Sequence, residues 1–584
     1  MANHVDLPEY LFRRLAQLGV RSIHGVPGDY NLTVLDYLEP AGLRWVGNAN
    51  ELNAGYAADG YARTKGLAAL VTSFGVGELS AINAVGGAYA EKAPVVHIVG
   101  SAPRAAQLAG ACLHHSLGDG NFRVFADMYR SVTVAQANLA DAEDVPRVVD
   151  ETLRQCVLQS RPVYIEIPSD MVRVKVAAPR GVIDLTVDGY DERLEDEVVG
   201  TLVEKMQNAK RPLILVDGFA RRFGIQDSIN ELVKRTAIPT LTTPFGKSLV
   251  DERLPNFHGI YYGLAGSSEH SDWVKSRDLV LHFGPLRSDI NTYGFTASPE
   301  AGVSVVLEAD SVTIGDATTT STPLRGVGIK SLLSKVIAKL DGLNLAVADP
   351  FPPNPEDPRE ILKALPPTVP DATVDQYSFW LRMSDFFRPG DMILTETGTS
   401  AYGGQSFVLP EDTTLMTSTI WLSIGYALAA SQGVALAQRE MVSEGTRRAG
   451  RTILFEGEGS LQMSAQAISD IIRNKLDVTM FILNNNGYTI ERIIHGFHAD
   501  YNDVQPWRNL EAPSYFGAPV DDPDYRVTTR SARNWGELQA VLADPVVQEG
   551  KGLNMIEVFM EMDDAPLSLR KFVEYLTKRN SGGK

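Results

Sequence analysis

The sequence predicts an α/β protein of three successive blocks, each a mostly parallel sheet flanked by helices. Three observations predict it. Short β-branched and apolar runs alternate with helical periods along the chain, the pattern of parallel strands covered on both faces. Eight prolines between 349 and 370 interrupt that alternation. Two consecutive strands of the last block end in turns rich in glycine, acid and amide, where open sheets place their ligands. At 584 residues the chain is too long for one core. The blocks are read as residues 1–185, 194–348 (Rossmann-like) and 371–584, with 349–370 as a semi-rigid linker.

Composition excludes several classes. The chain carries 72 acidic and 54 basic residues, a net charge of −18, which argues against a non-specific nucleic-acid or anionic-membrane binder. Two cysteines, Cys112 and Cys156, cannot make a disulfide scaffold, so a reducing compartment is expected. The opening residues show neither a basic nor an apolar leader region, and no uncharged run is long enough for a bilayer. The expectation is a cytoplasmic protein.

In the first block, residues 8 to 19 read as a helix with Leu11, Leu15 and Leu18 on one face. Ser22 to Val26 is a strand, Pro27-Gly28-Asp29 a turn, and Asn31 to Leu38 a helix. Arg44 to Gly47 is strand-like, and Asn50 opens an Ala-rich helix ending near Arg63. Leu70 to Thr72 and Val95 to Val99 are strands around a helix from Glu78 to Glu91. The loop between, Gly75-x-Gly77-x-x-Ser80, imitates a dinucleotide fingerprint but lacks its third glycine and an acidic ribose partner. Pro162 to Pro168 is the last strand, followed by an irregular connection, Val176 to Glu195. The middle block has strands Pro212–Val216, Pro239–Leu241, Leu279–Phe283 and Val303–Leu307 and no dense reactive constellation, so it reads as structural or regulatory. In the third block, Met392 to Leu394 is a strand whose following turn, Glu396 to Ser400, offers polar contacts to a phosphate. Trp421 to Gly425 reads as core helix, Arg439 to Arg451 as a charged surface loop, and Ser581-Gly582-Gly583 as a frayed end.

The chemistry concentrates between Arg451 and Ile494. Strand Thr452–Phe455 runs into Glu456-Gly457-Glu458-Gly459-Ser460, and a helical pattern spans Leu461 to Asn474. Strand Val478–Leu483 then runs into Asn484-Asn485-Asn486-Gly487-Tyr488-Thr489-Ile490-Glu491. Glycines admit close backbone approach to a phosphate, and a helix starting near Ser460 turns its positive end there. Glu458, Asn485 and a carbonyl near Gly487 are hard oxygen ligands that, with phosphate oxygens, suit Mg²⁺. The competing reading is two ordinary strand-ending turns.

This pair of turns resembles the thiamine diphosphate signature, Gly-Asp-Gly followed about two dozen residues later by Asn-Asn. Leu461-Gln462, Leu483-Asn484-Asn485 and Gly487 to Glu491 are similar to the fungal-type pyruvate decarboxylases among the 2-oxo acid decarboxylases. One position departs: Glu458 stands where that family has Asp. The resemblance runs from Gly25 to the Asp563–Pro566 region. It implies the thiamine diphosphate-binding fold, a thiamine diphosphate and Mg²⁺ pair, and a small 2-oxo acid as substrate. It also implies a homo-oligomer with the cofactor between the first block of one subunit and the third of another. A dimer is then the minimum active unit and a tetramer is expected.

Roles follow residue by residue from the same resemblance. Glu51, on its own a favourable partner for a helix dipole, matches the glutamate bonded to the cofactor's aminopyrimidine. His114-His115, on their own surface or helix-end histidines, match a catalytic pair suited to proton transfer. A metal shared by adjacent histidines is not expected, since helical sites space them four apart. Asp29, otherwise a helix cap, and Glu491, otherwise an early-helix acid, match catalytic carboxylates. Thr399, Gly459, Ser460, Tyr488, Thr489 and Ile490 join Asn485 and Gly487 as cofactor contacts. Ile424 matches the wedge that bends the cofactor, beside Leu422, where the family usually has Gly and needs only the backbone carbonyl. Tyr402, Ile490 and Ile494 match the substrate-pocket walls. The expected activity is decarboxylation of pyruvate to acetaldehyde and CO₂ through a covalent cofactor adduct. Three rivals stand beside it: a decarboxylase of indolepyruvate or phenylpyruvate, a carboligating synthase, and an inactive assembly or regulatory homologue, which the Glu458 departure would suit.

Overall fold

A computed structural model describes residues 4–315, 322–341, 345 and 349–581. The Gly582-Gly583 end lies outside them. Three sheets carry the chain. The first has six parallel strands, Ser22–Gly25, Arg44–Trp45, Ala68–Ser73, Val95–Ser101, Gln136–Asn138 and Val163–Pro168. The third has Met392–Thr395, Thr414–Thr417, Thr452–Gly457, Val478–Asn484, Val527–Ala532 and Leu553–Phe559, again all parallel. Numbered within each sheet, the strands of both lie in the order 2-1-3-4-6-5. The chain therefore leaves strands 1 and 3 in opposite directions, which opens a crevice at their carboxyl ends.

The middle sheet has seven strands. Five are parallel, Pro212–Val216, Thr240–Thr242, Phe257–Ile260, Leu279–Phe283 and Ser304–Leu307, and two, Ser311–Ile314 and Leu324–Arg325, close one edge antiparallel. Its order, 3-2-1-4-5-6-7, contains the doubly wound arrangement. The proline-rich stretch is not wholly irregular. Helix Pro358–Ala364 forms there, with Pro358 at its first position and the Asp357 side chain accepting from Arg359 N–H. The irregular connection after the first sheet opens with a short strand, Lys175–Ala177, paired antiparallel with His4–Asp6.

The first and third blocks dock through equivalent helices, Glu51–Lys65 and Tyr426–Ser443. Both are rich in alanine and glycine because their backbones nearly touch. A Cβ on Gly433 would lie 1.8 Å from the Ala57 carbonyl oxygen, and one on Gly60 would lie 2.3 Å from that of Ala430. The seam is sealed by polar groups. Glu440 accepts from Ser22 Oγ and Tyr61 Oη, each at 2.5 Å. This corrects the expected surface loop from Arg439: the helix continues to Ser443, because its charged end is an anchor between blocks rather than a solvated face.

Two further expectations are corrected. The helical pattern from Leu461 splits into Glu458–Ser464 and Ala467–Arg473. At the break Ser464 bonds out of the helix, its Oγ to the Gly425 carbonyl at 2.6 Å and its carbonyl to Asn53 Nδ2 at 3.5 Å. Trp421 to Gly425 is not helix. Leu422 has φ +54° and Gly425 φ +89°, and the helix begins at Tyr426.

Candidate functional site

At the carboxyl edge of the first sheet, strand Ser22–Gly25 delivers Asp29 and a long loop delivers the histidines. His114 Nε2 lies 2.7 Å from Asp29 Oδ2, and His115 Nε2 lies 3.8 Å from Oδ1. The other face of His114 meets Tyr30, whose Oη is 3.5 Å from Nδ1. Asp29 is thus a partner of histidine and not a helix cap; Asn31 occupies the cap position. His115 sits at φ +68°, a conformation that turns both imidazoles of adjacent residues toward one carboxylate.

The imitation dinucleotide loop explains itself here. A Cβ on Gly75 would lie 2.0 Å from the His115 carbonyl oxygen, and one on Gly77 would lie 3.2 Å from Glu51 Oε1. The glycines admit a histidine backbone and a carboxylate, not a nucleotide phosphate. Glu51 is the first residue of its helix, whose Asn50 side chain accepts from Asn53 N–H at 2.8 Å. The turn before it is held from the third block. Buried Asp470 accepts from Ala49 N–H at 3.0 Å and from Asn48 Nδ2 at 3.2 Å. Burial pushes the Asp470 carboxyl up to about 7 against the lowering by those two donors.

The third block builds a second cluster from three adjacent strand ends. Glu458, 5 % exposed, accepts from Gly487 N–H at 2.6 Å, so one turn grips the other. Burial pushes this carboxyl up to about 7, against the lowering by Gly487 N–H. Asn485 is buried beside it. The Tyr488 ring covers Gly459, where a Cβ would come within 2.6 Å of its edge. Ser460 is buried in the same turn, and Thr489 is fixed by its Oγ1 donating to the Met562 carbonyl at 3.1 Å. Ile490 lies over the turn leading to Thr399, its Cγ2 3.7 Å from the Cβ position of Gly398. Glu491 is exposed at the head of its short helix. Ile490 packs with Tyr402, Tyr293 and Phe572, but Ile494 is 57 % exposed and stands outside that cluster.

Leu422 and Ile424 ride on a loop fastened to the first block. Glu91 Oε1 accepts from Ser418 Oγ at 2.6 Å and from the N–H groups of Thr419, Ile420 and Trp421 at 2.8, 3.1 and 3.2 Å. Its other oxygen binds Arg63 at 2.7 Å. Burial alone would raise the Glu91 carboxyl; Arg63, Ser418 Oγ and Thr419 N–H hold it below the ordinary carboxylate range. Trp421 Nε1 reaches Asn83 at 2.9 Å, and Tyr56 Oη meets Ser423 Oγ at 2.7 Å. This fastening sustains the left-handed turn at Leu422, which costs about 1–2 kcal/mol in a residue with a side chain. Replacing Glu91 by Ala should cost about 3–5 kcal/mol, since Arg63 loses a buried partner and four donors lose their acceptor. Thermal melts read the loss, and proteolysis within 418–425 should accelerate; an unchanged midpoint contradicts the assignment.

Two buried acids were not foreseen. The expected contact between the turn after Met392–Thr395 and a phosphate does not include Glu396. That side chain turns inward and accepts from Thr397 N–H and Ala427 N–H, both at 2.7 Å, capping the helix Tyr426–Ser443. Glu456, read as part of a turn, belongs to strand Thr452–Gly457, fully buried, with neither oxygen hydrogen-bonded. Burial, then the nearby Glu396, push it well above the ordinary carboxyl value. A raised acid favours folding most below its unfolded value near 4.5, and that contribution is lost as pH rises. Glu456→Leu should therefore stabilise the protein by about 1–3 kcal/mol. The gain should be larger at pH 8 than at pH 5 in parallel melts; a loss at both pH values would show that the carboxyl has a partner.

Thus the structure brings Glu51, Asp29, His114 and His115 to one edge, and Glu458, Asn485, Gly487, Gly459, Ser460 and Ile490 to another. Among the described residues no hydrogen bond or ion pair joins Glu491 to the Asp29–histidine group. Comparison with known proteins gives this geometry its family. Models of thiamine pyrophosphate enzymes match in order: the N-terminal TPP binding domain over 5–120, the central domain over 199–335 and the C-terminal TPP binding domain over 396–558. A pyruvate decarboxylase of Aspergillus parasiticus is 46% identical over 568 residues, 96% of each chain. One of Aspergillus fumigatus is 41% identical over 99% of this chain and 98% of its own. Pyruvate decarboxylase isozyme 2 of Saccharomyces cerevisiae is 38% identical over 99% and 100%. On these matches over nearly its whole length, the chain belongs to the thiamine pyrophosphate enzyme family.

Proposed function

We propose that this protein is a thiamine diphosphate-dependent decarboxylase that converts pyruvate to acetaldehyde and CO₂. The observation that carries the reading is the clasp of Glu458 on Gly487, which joins two glycine and amide turns into one buried acid-and-amide cradle. That cradle suits a diphosphate with Mg²⁺. The buried Glu458 carboxyl and the buried Asn485 amide supply hard oxygen donors beside backbone N–H groups, a set that favours a hard metal and an anion together. Glu458, Asn485 and the Gly487 carbonyl would hold the metal. Gly459, Ser460 and Thr399 would hold the phosphates, flanked by Tyr488, Thr489 and Ile490. Bound thiamine diphosphate supplies an electron sink for the bond that releases CO₂.

The protein supplies position and protons. The Leu422 carbonyl and Ile424 would orient the aminopyrimidine, and Glu51 would hold a proton on its carboxyl against that ring. His114 Nε2, paired with Asp29, would carry a proton to the product, with His115 and Glu491 completing the relay. The Asp29–His114 pair and Glu491 lie on different blocks without a bond between them in one chain. We therefore infer a homo-oligomer in which a second copy completes each site, a dimer at least and a tetramer as the expected form. No helix among the described residues is long and apolar enough to cross a membrane. Cys112 and Cys156 form no disulfide, and a cytoplasmic setting is the one such a cysteine pair fits.

The pocket walls favour a small substrate. Of the expected walls, Tyr402 and Ile490 sit in one branched and aromatic cluster with Ile493 and Phe572, while Ile494 stands outside it; walls of this kind would leave room for a methyl ketone and crowd an indole ring. The test is release of CO₂ and aldehyde from a panel of 2-oxo acids, with thiamine diphosphate and Mg²⁺ present or withheld. Pyruvate should exceed indolepyruvate in kcat/KM by at least tenfold, a pocket difference of about 1.4 kcal/mol. Preference for the indole acid would transfer the assignment to the larger-substrate enzymes, and no turnover of any acid would favour an inactive homologue.

A further inference from the structure

A large cleft lies away from both clusters. It has a volume of about 950 Å³ and is lined by all three blocks: residues 62–66 of the first, 221–224 and 328–331 of the middle, and 412–414 and 446–448 of the third. Its charge runs against that of the chain. Arg63 and Lys65 on its wall are already paired, with Asp59 and Glu91 and with Glu440 and Glu444. Arg448 faces Glu411 and Asp412. Arg221, Arg222, Lys330 and Arg447 make no ion pair among the described residues.

Among the described residues, the hydrogen-bond partners of their side chains are neutral. Arg221 donates to Ser248 Oγ at 2.9 Å, to Thr414 Oγ1 at 3.3 Å and to Gln226 Oε1 at 3.4 Å. Arg447 Nη2 reaches the same Thr414 Oγ1 at 3.4 Å, and its Nε is buried with no acceptor. Arg222 donates to the Glu91 carbonyl at 3.4 Å. Lys330 folds in beside Gly224, its Nζ 3.1 Å from the Cβ position there. Burial, then repulsion from Arg222 and Arg447, lowers the Arg221 guanidinium to about 9, still charged at neutral pH. A chain of net charge −18 thus gathers around one cavity four cations with no ion-pair partner among the described residues, with Asp227 and Asp412 as the acids on its lining. Two helices, Gln226–Thr236 and Ile329–Ala338, begin on the same cleft; Ile225 gives the first no side-chain cap, while the second is already met by Glu195, which accepts from Gly328 N–H at 3.2 Å.

We propose that this cleft binds a small phosphate ester that bridges the middle and third blocks. Guanidinium pairs recognise phosphate oxygens by paired charged hydrogen bonds, and the start of helix Gln226–Thr236 adds N–H donors. Four cations call for more than one negative charge, which excludes a simple monocarboxylate. The cavity also greatly exceeds a bare phosphate, so the ligand carries a carbon skeleton. Arg221 and Arg222 would grip it from the middle block and Arg447 from the third, with Thr414 between them.

Calorimetric titration of the holoenzyme tests this with three probes: 3-phosphoglycerate, inorganic phosphate and acetate. The ester should bind saturably, at least tenfold tighter than inorganic phosphate, and acetate should not bind. Arg221→Gln and Arg447→Gln should each weaken the ester at least tenfold while thiamine diphosphate retention stays unchanged. Arg447 lies outside every sheet and helix, so its variant keeps the test valid if Arg221→Gln folds poorly. Three results would overturn the proposal: no saturable binding of the ester, equal affinity for inorganic phosphate or acetate, or unchanged ester affinity in Arg447→Gln.

Discussion

Glu51→Gln should lower the decarboxylation rate by about 10²–10⁴-fold while leaving the fold intact. The amide keeps the size and half-buried position of the side chain but can neither hold nor release a proton at neutral pH. The local frame does not depend on that carboxylate. Asn50 still caps the helix through Asn53 N–H, and Asp470 still holds Ala49 and Asn48. The thermal midpoint should therefore shift little. The check is CO₂ release at saturating pyruvate beside a melt of the same preparation. Activity within fivefold of the parent would remove Glu51 from the proton chemistry. A collapsed midpoint would reassign it to structure.

Glu458→Ala should abolish Mg²⁺-dependent retention of the cofactor, a loss of at least ~10²-fold in affinity for second-shell and ligand changes at metal sites. The alanine removes the proposed oxygen ligand and also unfastens the second turn, whose Gly487 N–H loses its acceptor. Glu458→Asp is the informative partner. Glutamate reaches about 1.3 Å further than aspartate, and Mg²⁺ demands near-ideal geometry at about 2.0–2.1 Å. One oxygen of the longer side chain accepts from Gly487 N–H at 2.6 Å. Glu458→Asp should tighten the Mg²⁺ dependence or leave it unchanged. Binding isotherms of thiamine diphosphate against Mg²⁺ concentration distinguish the three forms. If Glu458→Ala retains cofactor like the parent, Glu458 is not a ligand.

Much of the fold was legible because it is written locally. Alternating strand and helix periods, punctuated by Gly25, Gly28, Gly457 and Gly487, locate the strand ends where chemistry gathers. The turns after Thr452–Gly457 and Val478–Asn484 were readable as a pair because each residue's role depends on its neighbours in sequence. What stayed hidden depends on contacts hundreds of residues apart. Glu91 looks like an ordinary helix-terminal acid until residues 418–421 fold onto it. Asp470 looks like a solvated helix acid until the first block lays Ala49 against it. Trp421 to Gly425 misled because its apolar pattern suits a helix. Its left-handed turn is imposed by that distant fastening, which outweighs local propensity. Glu456 was visible as an acid at the end of an apolar run, yet only the sheet shows that no donor reaches it.

The near-touching helices Glu51–Lys65 and Tyr426–Ser443 carry a cost in time. The second is synthesised roughly 380 residues after the first, which at 5–20 residues per second is a delay of about 20–75 s. Throughout that interval the nascent chain shows an alanine and glycine face shaped to receive a backbone and nothing to cover it. Any premature stop before residue 443 leaves the face bare for good. Ribosome-bound and truncated chains should accordingly be the species that recruit chaperones, and fragments ending before the second helix should aggregate where the full chain does not.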